Sequence, residues 1–263
     1  MKRSIKKEIK RQLRELKRIR FALLTDEASN AKLAKSAGSE WRAIGLSLAP
    51  HMLSGYPQCP SAGECIAYCI GEHAGAAVRY KAIMEARIRK TRLSVENPAE
   101  FFALLYADLR RARDVCYAEK RFLACRLNTF SDRTWEVERP EIFTDFYDVQ
   151  FYDYTKIRGR VDRFLAGNFP PNYHLTYSLS ERTPAGYAGR VLYQGGTVAV
   201  AIDISIRSSR ELPKEYVIDG KSYPTIDGDI SDLRFLDARG SVILLRAKGN
   251  ALTKQNGFIQ SAE

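Results

Sequence analysis

Short apolar and aromatic runs recur along this chain, separated by stretches with helical spacing, and that alternation restricts the fold more than any other feature. The strand-like runs lie near 43–49, 122–127, 149–153, 173–178, 197–202 and 242–246. Helical patterns fall over 72–93, 97–113, 140–146, 157–166 and 184–194, the second opened by Asn97-Pro98 with proline in its first turn. Strands joined by helical crossovers predict a mostly parallel sheet. The expected fold is α/β, a partial, open (β/α) barrel, with a flat doubly wound sheet as the alternative; periodicity alone does not separate the two. Val217 to Tyr223, centred on Asp219-Gly220, predicts a hairpin.

Polar residues gather just past the strand ends: Asn128, Ser131, Asp132, Asp153, Lys156, Ser178, Glu181 and Asp203. In parallel α/β sheets and barrels that edge is where sites are built. Asp153 and Lys156, in Gln150-Phe-Tyr-Asp-Tyr-Thr-Lys156, are read as the acid–base pair, the alternative being a salt bridge that closes a turn. Asp132 and Glu181 are further catalytic candidates. Asn128, Ser131 and Ser178 are expected to hold a cofactor or substrate.

The first such loop carries Cys59, Cys65 and Cys69 in a C-x5-C-x3-C spacing. Thiolates bind soft centres, iron–sulfur clusters or zinc. Three clustered cysteines suit a [4Fe-4S] cluster with one iron left open, whereas structural zinc normally takes four ligands. Cys125, in the second strand, is the candidate fourth ligand and equally an apolar filler; Cys116 and His73 are weaker ones, and His51 lies close in sequence. The last cysteine is expected near a helix N-terminus, which lowers a thiol pKa.

The charge is uneven. Residues 1–20 hold ten Lys or Arg and two Glu, a net +8 of the chain's +11. Ile5, Ile9, Leu13 and Leu16 form one apolar stripe on this cationic helix. Residues 2–20 are therefore a candidate nucleic-acid contact, with docking on the body or an anionic membrane surface as alternatives. The expected organisation is a basic helical arm (1–25), a polar connector (26–40) and one α/β domain (41–263). No run of eighteen apolar residues occurs, so no membrane span is expected. Five cysteines without a secretory leader imply a reducing compartment.

Three cysteines on the loop after the first strand of a β/α barrel resemble the radical-SAM arrangement. The usual spacing there is C-x3-C-x2-C, and no Gly-Gly-Glu follows the second strand to hold the amino group of S-adenosylmethionine; Asn128, Ser131 or Asp132 would have to replace it. A closer resemblance covers residues 30–251. Leu46-Ser-Leu-Ala-Pro50, Cys59-Pro60, Arg126-Leu-Asn128, Ser131-Asp132 with Trp135-Glu136, Gln150 to Lys156, Tyr173 to Ser178, Asp227-Gly-Asp229 with Asp232, and Leu245-Arg-Ala-Lys-Gly249 resemble the gene product 88 family of bacteriophage and prophage proteins. That resemblance implies a phage origin and the cytoplasm of an infected bacterium, and brings no reaction with it.

The leading functional expectation is an iron–sulfur protein, a radical-SAM-like or other redox enzyme acting on nucleic acid or a nucleotide. A non-catalytic nucleic-acid-binding factor for replication or host takeover, with a structural metal, is the second reading. A Mg²⁺-dependent nuclease using Asp227, Asp229 and Asp232 with Lys248 is the third. Arg246 and Lys248, after the last strand, are placed to face an anionic substrate or simply solvent.

Overall fold

The computed structural model describes residues 22–27, 33–73, 76–248 and 257–262. The basic arm over 2–20 lies outside the described residues. The chain is a mixed α/β protein around one sheet of ten strands, most of them parallel. The strands are β1 Leu24–Asp26, β2 Trp41–Leu46, β3 Phe122–Arg126, β4 Gln150–Thr155, β5 Tyr173–Ser178, β6 Val198–Ser205, β7 Glu215–Ile218, β8 Lys221–Asp227, β9 Val242–Ala247 and β10 Ile259–Gln260. Their order is β1-β2-β3-β4-β5-β6-β9-β8-β7, an open sheet whose antiparallel pairs are β1 with β2 and β7 with β8.

Each crossover follows from its sequence. Helix α1 (Lys81–Glu96) leads straight into α2 (Pro98–Glu119), where Asn97 accepts a hydrogen bond from the Glu100 amide as an N-cap and Pro98 fills the first turn. Helix α2 runs past Arg113, where the polar pattern suggested a stop, because Val115 and Cys116 continue its buried face; Lys120, left-handed at φ 55°, ends it. Helices α3 (Arg158–Leu165) and α4 (Tyr187–Tyr193) complete the layer. The β7–β8 turn is Asp219-Gly220, both at positive φ, as a two-residue hairpin requires.

The helices cover one face. Ile44, Cys125, Phe151 and Leu175 pack with α2, and Tyr177, Val200, Ile202 and Leu244 pack with α3 and α4. On the other face Ala43, Ala124 and Tyr152 meet Leu233 and Phe235. This face is the inside of a curl. Five strand spacings separate β2 from β9, about 24 Å in a flat sheet, yet Lys35, just before β2, ion-pairs with Asp229, beside β9, at 3.5 Å.

The described residues at the end of the expected arm and in the expected connector pack into the body. Asp108 of α2 accepts hydrogen bonds from the amides of Ala22, Leu23 and Leu24, which fixes β1 against the helix layer. Leu33 is buried beneath β2. At the opposite end, β5 stops pairing with β6 at Ser178–Ala199, and β10 takes over that side of β6 at Ala201–Ile202. Among the described residues no helix is long and apolar enough to cross a membrane.

Candidate functional site

The parallel strands end together at one edge, and a cavity of about 250 Å³ opens there. The loop after β2 supplies Cys59, Cys65 and Cys69; the end of β3 supplies Arg126, Asn128, Ser131 and Asp132; β4 and β5 supply Lys156 and Ser178. Arg246 near the end of β9, Lys248 after it, and Phe258 before β10 close the ring.

Strand period decides which residues reach this cavity. Side chains two apart share a face, and side chains an odd number apart do not. Asp153 has the parity of Phe151 and turns to the helices, fully buried. Lys156, three residues on, reaches the cavity. The two are not an acid–base pair. Asp153 instead accepts hydrogen bonds from Asn128 N at 2.7 Å, Asn128 Nδ2 at 3.2 Å and Tyr173 Oη at 2.6 Å. Burial pushes its carboxyl up to about 7, against the pull of Arg126. Cys125 has the same parity as Leu123 and sits in the helix-facing core, away from the cavity. A fourth ligand from Cys125 is therefore ruled out by its direction.

Asn128 and Ser131 line the cavity but work on the turn itself. Asn128 Oδ1 accepts from Ser131 Oγ at 2.8 Å, Arg133 N at 2.9 Å and Trp135 Nε1 at 3.0 Å. Its amide nitrogen donates to Asp153 and the Arg133 carbonyl. Asp132 splits its carboxylate between Arg160 Nη1 at 3.1 Å and Lys156 N at 2.8 Å. Burial raises the Asp132 pKa and Arg160 opposes that rise. Glu181 lies outside the cavity wall, where its Oε1 accepts from Glu64 N at 3.1 Å and braces the cysteine loop.

The cysteine loop folds as a short 3₁₀ turn, Glu64–Tyr68, and Cys69 opens a further single turn, its carbonyl accepting from the Glu72 and His73 amides at 3.0 and 2.7 Å. The lowered thiol pKa expected there is not found, because burial outweighs the amides. Burial pushes the Cys59 thiol up to about 11, and burial likewise raises Cys69. Such thiols keep their protons at neutral pH until a cation replaces them. The backbone is arranged for that exchange. His51, left-handed at φ 37°, points its amide at Cys59 Sγ at 3.4 Å, and the Gly71 and Glu72 amides offset part of the rise at Cys69. His51 Nε2 is 2.6 Å from Glu72 Oε2, which holds that imidazole beside the loop. Donor type and amide support both fit a soft metal centre. The thiols share one wall without converging: among the described residues no three His, Cys, Asp or Glu side chains are grouped closely enough to hold a metal ion.

The acids after β8 do not form a magnesium site. Asp227 pairs with Arg246 at 2.7 Å, Asp229 with Lys248 at 2.7 Å, and Asp232 with Arg126 at 3.0 Å. Each carboxylate is committed to a cation, and Asp229 is held below its usual pKa: burial raises it, but the hydrogen bonds from Lys248 and the Arg246 amide and the Lys248 and Lys35 charges together outweigh burial.

Arg126, Lys35 and Phe258 line the cavity without having been given a role from sequence. Arg126 had a signal: it is the one charge in an apolar strand, at the parity opposite to Cys125. Lys35 and Phe258 arrive from distant segments and had none.

A family model described as Gene product 88 matches residues 12–262. The match takes in part of the basic arm, which the motif resemblance had left out. Comparison with curated proteins and with solved structures gave no match.

Proposed function

We propose that this chain, which belongs to the gene product 88 family, carries an iron–sulfur cluster on Cys59, Cys65 and Cys69 and is a redox enzyme acting on a substrate in the adjoining cavity. The observation that carries this reading is the shared cavity: three cysteines from the loop after β2 line the same space as Asp132, Lys156 and Ser178. The donor set favours a cluster over zinc: Cys125, the candidate fourth thiol, lies in the helix-facing core, and three cysteines suffice for a cluster with one iron left open, whereas structural zinc normally takes four ligands.

When bound, such a cluster supplies one-electron transfer. The chain's own residues supply position and charge. Lys156, braced through its amide by Asp132, presents an ammonium group to the cavity. Asn128 and Ser131 are used up in the turn network, which favours a redox reaction without S-adenosylmethionine over the radical-SAM-like variant.

The test is iron, acid-labile sulfide and a visible spectrum on protein purified without oxygen. About four irons per chain, lost in Cys59→Ala, is the expected result. Colourless protein holding zinc would replace the cluster with a structural staple. Protein that takes up neither metal after reconstitution would overturn the proposal.

A further inference from the structure

We infer that Lys156 and Ser178 form a phosphate subsite, and that the cavity takes a small organic phosphate of nucleotide size; this goes beyond the cluster reading and stands without it. The argument begins with charge. Five cations and three carboxylates line the cavity. Four of the cations have a carboxylate partner: Lys35 and Lys248 share Asp229, Arg246 pairs with Asp227, and Arg126 with Asp232. The third carboxylate, Asp132, is divided between Arg160 and the Lys156 backbone. Lys156 is the exception. Its Nζ donates to Ser178 Oγ at 3.1 Å and lies 4.8 Å from the centre of the Phe258 ring. Among the described residues no carboxylate lies within ion-pair distance of it.

This half-buried cation, held in a cavity wall by a neutral hydroxyl and a ring, is placed to take an anion from solution as its counter-ion. The hydrogen bond with Ser178 has a second effect. Because the hydroxyl accepts from Lys156, its own proton is free to turn outward. Ammonium and hydroxyl then offer adjacent donors to one anion, and lysine serves phosphates as a point charge.

Two features narrow the ligand. Tyr68, Phe130, Tyr154 and Phe258 share the cavity with these cations, which suits a planar base attached to the phosphate. The cavity is small, and β10 walls one side beside β6, so a polymer strand has no path along it.

The experiment is calorimetric titration of the full chain with AMP, GMP, CMP and UMP, and with the four nucleosides. At least one monophosphate should bind, with its nucleoside weaker by about tenfold or more, the scale of one charge-assisted contact. Lys156→Met should erase the difference between the two, and Ser178→Ala should reduce it several-fold. Should Lys156→Met fail to fold, Ser178→Ala alone decides. The subsite is overturned if no monophosphate binds, or if binding survives in the variants unchanged. Iron content measured on the same samples separates the two proposals. Lys156-dependent phosphate binding in cluster-free protein upholds the subsite, and a cluster-bearing protein indifferent to phosphate refutes it.

Discussion

Glu181 Oε1 accepts a hydrogen bond from the Glu64 amide at 3.1 Å, so the segment after β5 holds the turn that carries Cys65. A Cβ on Gly63 would fall 1.9 Å from the same oxygen and drive the carboxylate away. Glu181→Ala and Gly63→Ala therefore break one link by two routes. Both should raise the rate of maleimide alkylation at Cys65 in metal-free protein, read by mass spectrometry, while thermal stability changes little. Unchanged alkylation in both would mean the loop is held by other contacts.

Arg160 is 1 % exposed and joins Glu136, Asp132 and Tyr173 in one buried network. Arg160→Met keeps most of the volume, takes the cation from Asp132 and leaves Glu136 with Arg163 alone. Breaking a buried pair from one side typically costs about 3–5 kcal/mol. Urea denaturation should show a loss of that size, and Glu136→Gln on the Arg160→Met background should recover part of it.

His174 makes the fold sensitive to acid. Burial, with Arg234 and Arg239 nearby, lowers its pKa to about 4. The unfolded chain takes up this proton near 6.5 and the folded chain only near 4. Between those values the unfolded state binds more protons, so stability falls as pH falls through that window, by up to about 3 kcal/mol. Its Nε2 has no partner among the described residues, and its ring meets Phe164 edge-on. His174→Phe should flatten the stability profile from pH 6.5 to 4 relative to the native protein. Parallel profiles would assign the acid loss elsewhere.

Cys59 and Cys125 separate a ligand from a filler. Cys125→Ala removes one buried sulfur from the helix-facing core and should cost about 1 kcal/mol while metal content holds. Cys59→Ala should leave stability of the metal-free fold within about 1 kcal/mol and remove the metal. Loss of metal in Cys125→Ala without unfolding would mean that β3 presents its other face to the site.

Local signals account for what the sequence disclosed. β5 runs over Tyr173–Ser178 as its composition indicated, the hairpin turns at Asp219-Gly220, and Asn97-Pro98 opens α2. Part of the cavity edge was legible as well, because Asn128, Ser131, Asp132, Lys156 and Ser178 at the ends of β3, β4 and β5 line it, whereas Asp203 lies inside β6 and away from it. What escaped was direction and distance. Asp153 and Lys156 were paired by nearness in sequence, although a strand sends residues three apart to opposite faces. The Arg126–Asp232 pair spans 106 residues, and β10 is two residues long, too short for any period to register. The three-residue β1 is short for the same reason, and is fixed by Asp108 from another element.

Strand β10 also orders events in time. Translation delivers residues 257–262 after every other strand of the sheet, so β6 waits with its Ala201–Ile202 edge bare while the rest of the fold assembles. The wall carrying Phe258 is the last to be hung. Without it, the cysteines and Lys156 would lose the wall that carries Phe258 and their cavity would stand open on that side. Once the wall has docked, exchange of whatever they hold requires that one short strand to let go.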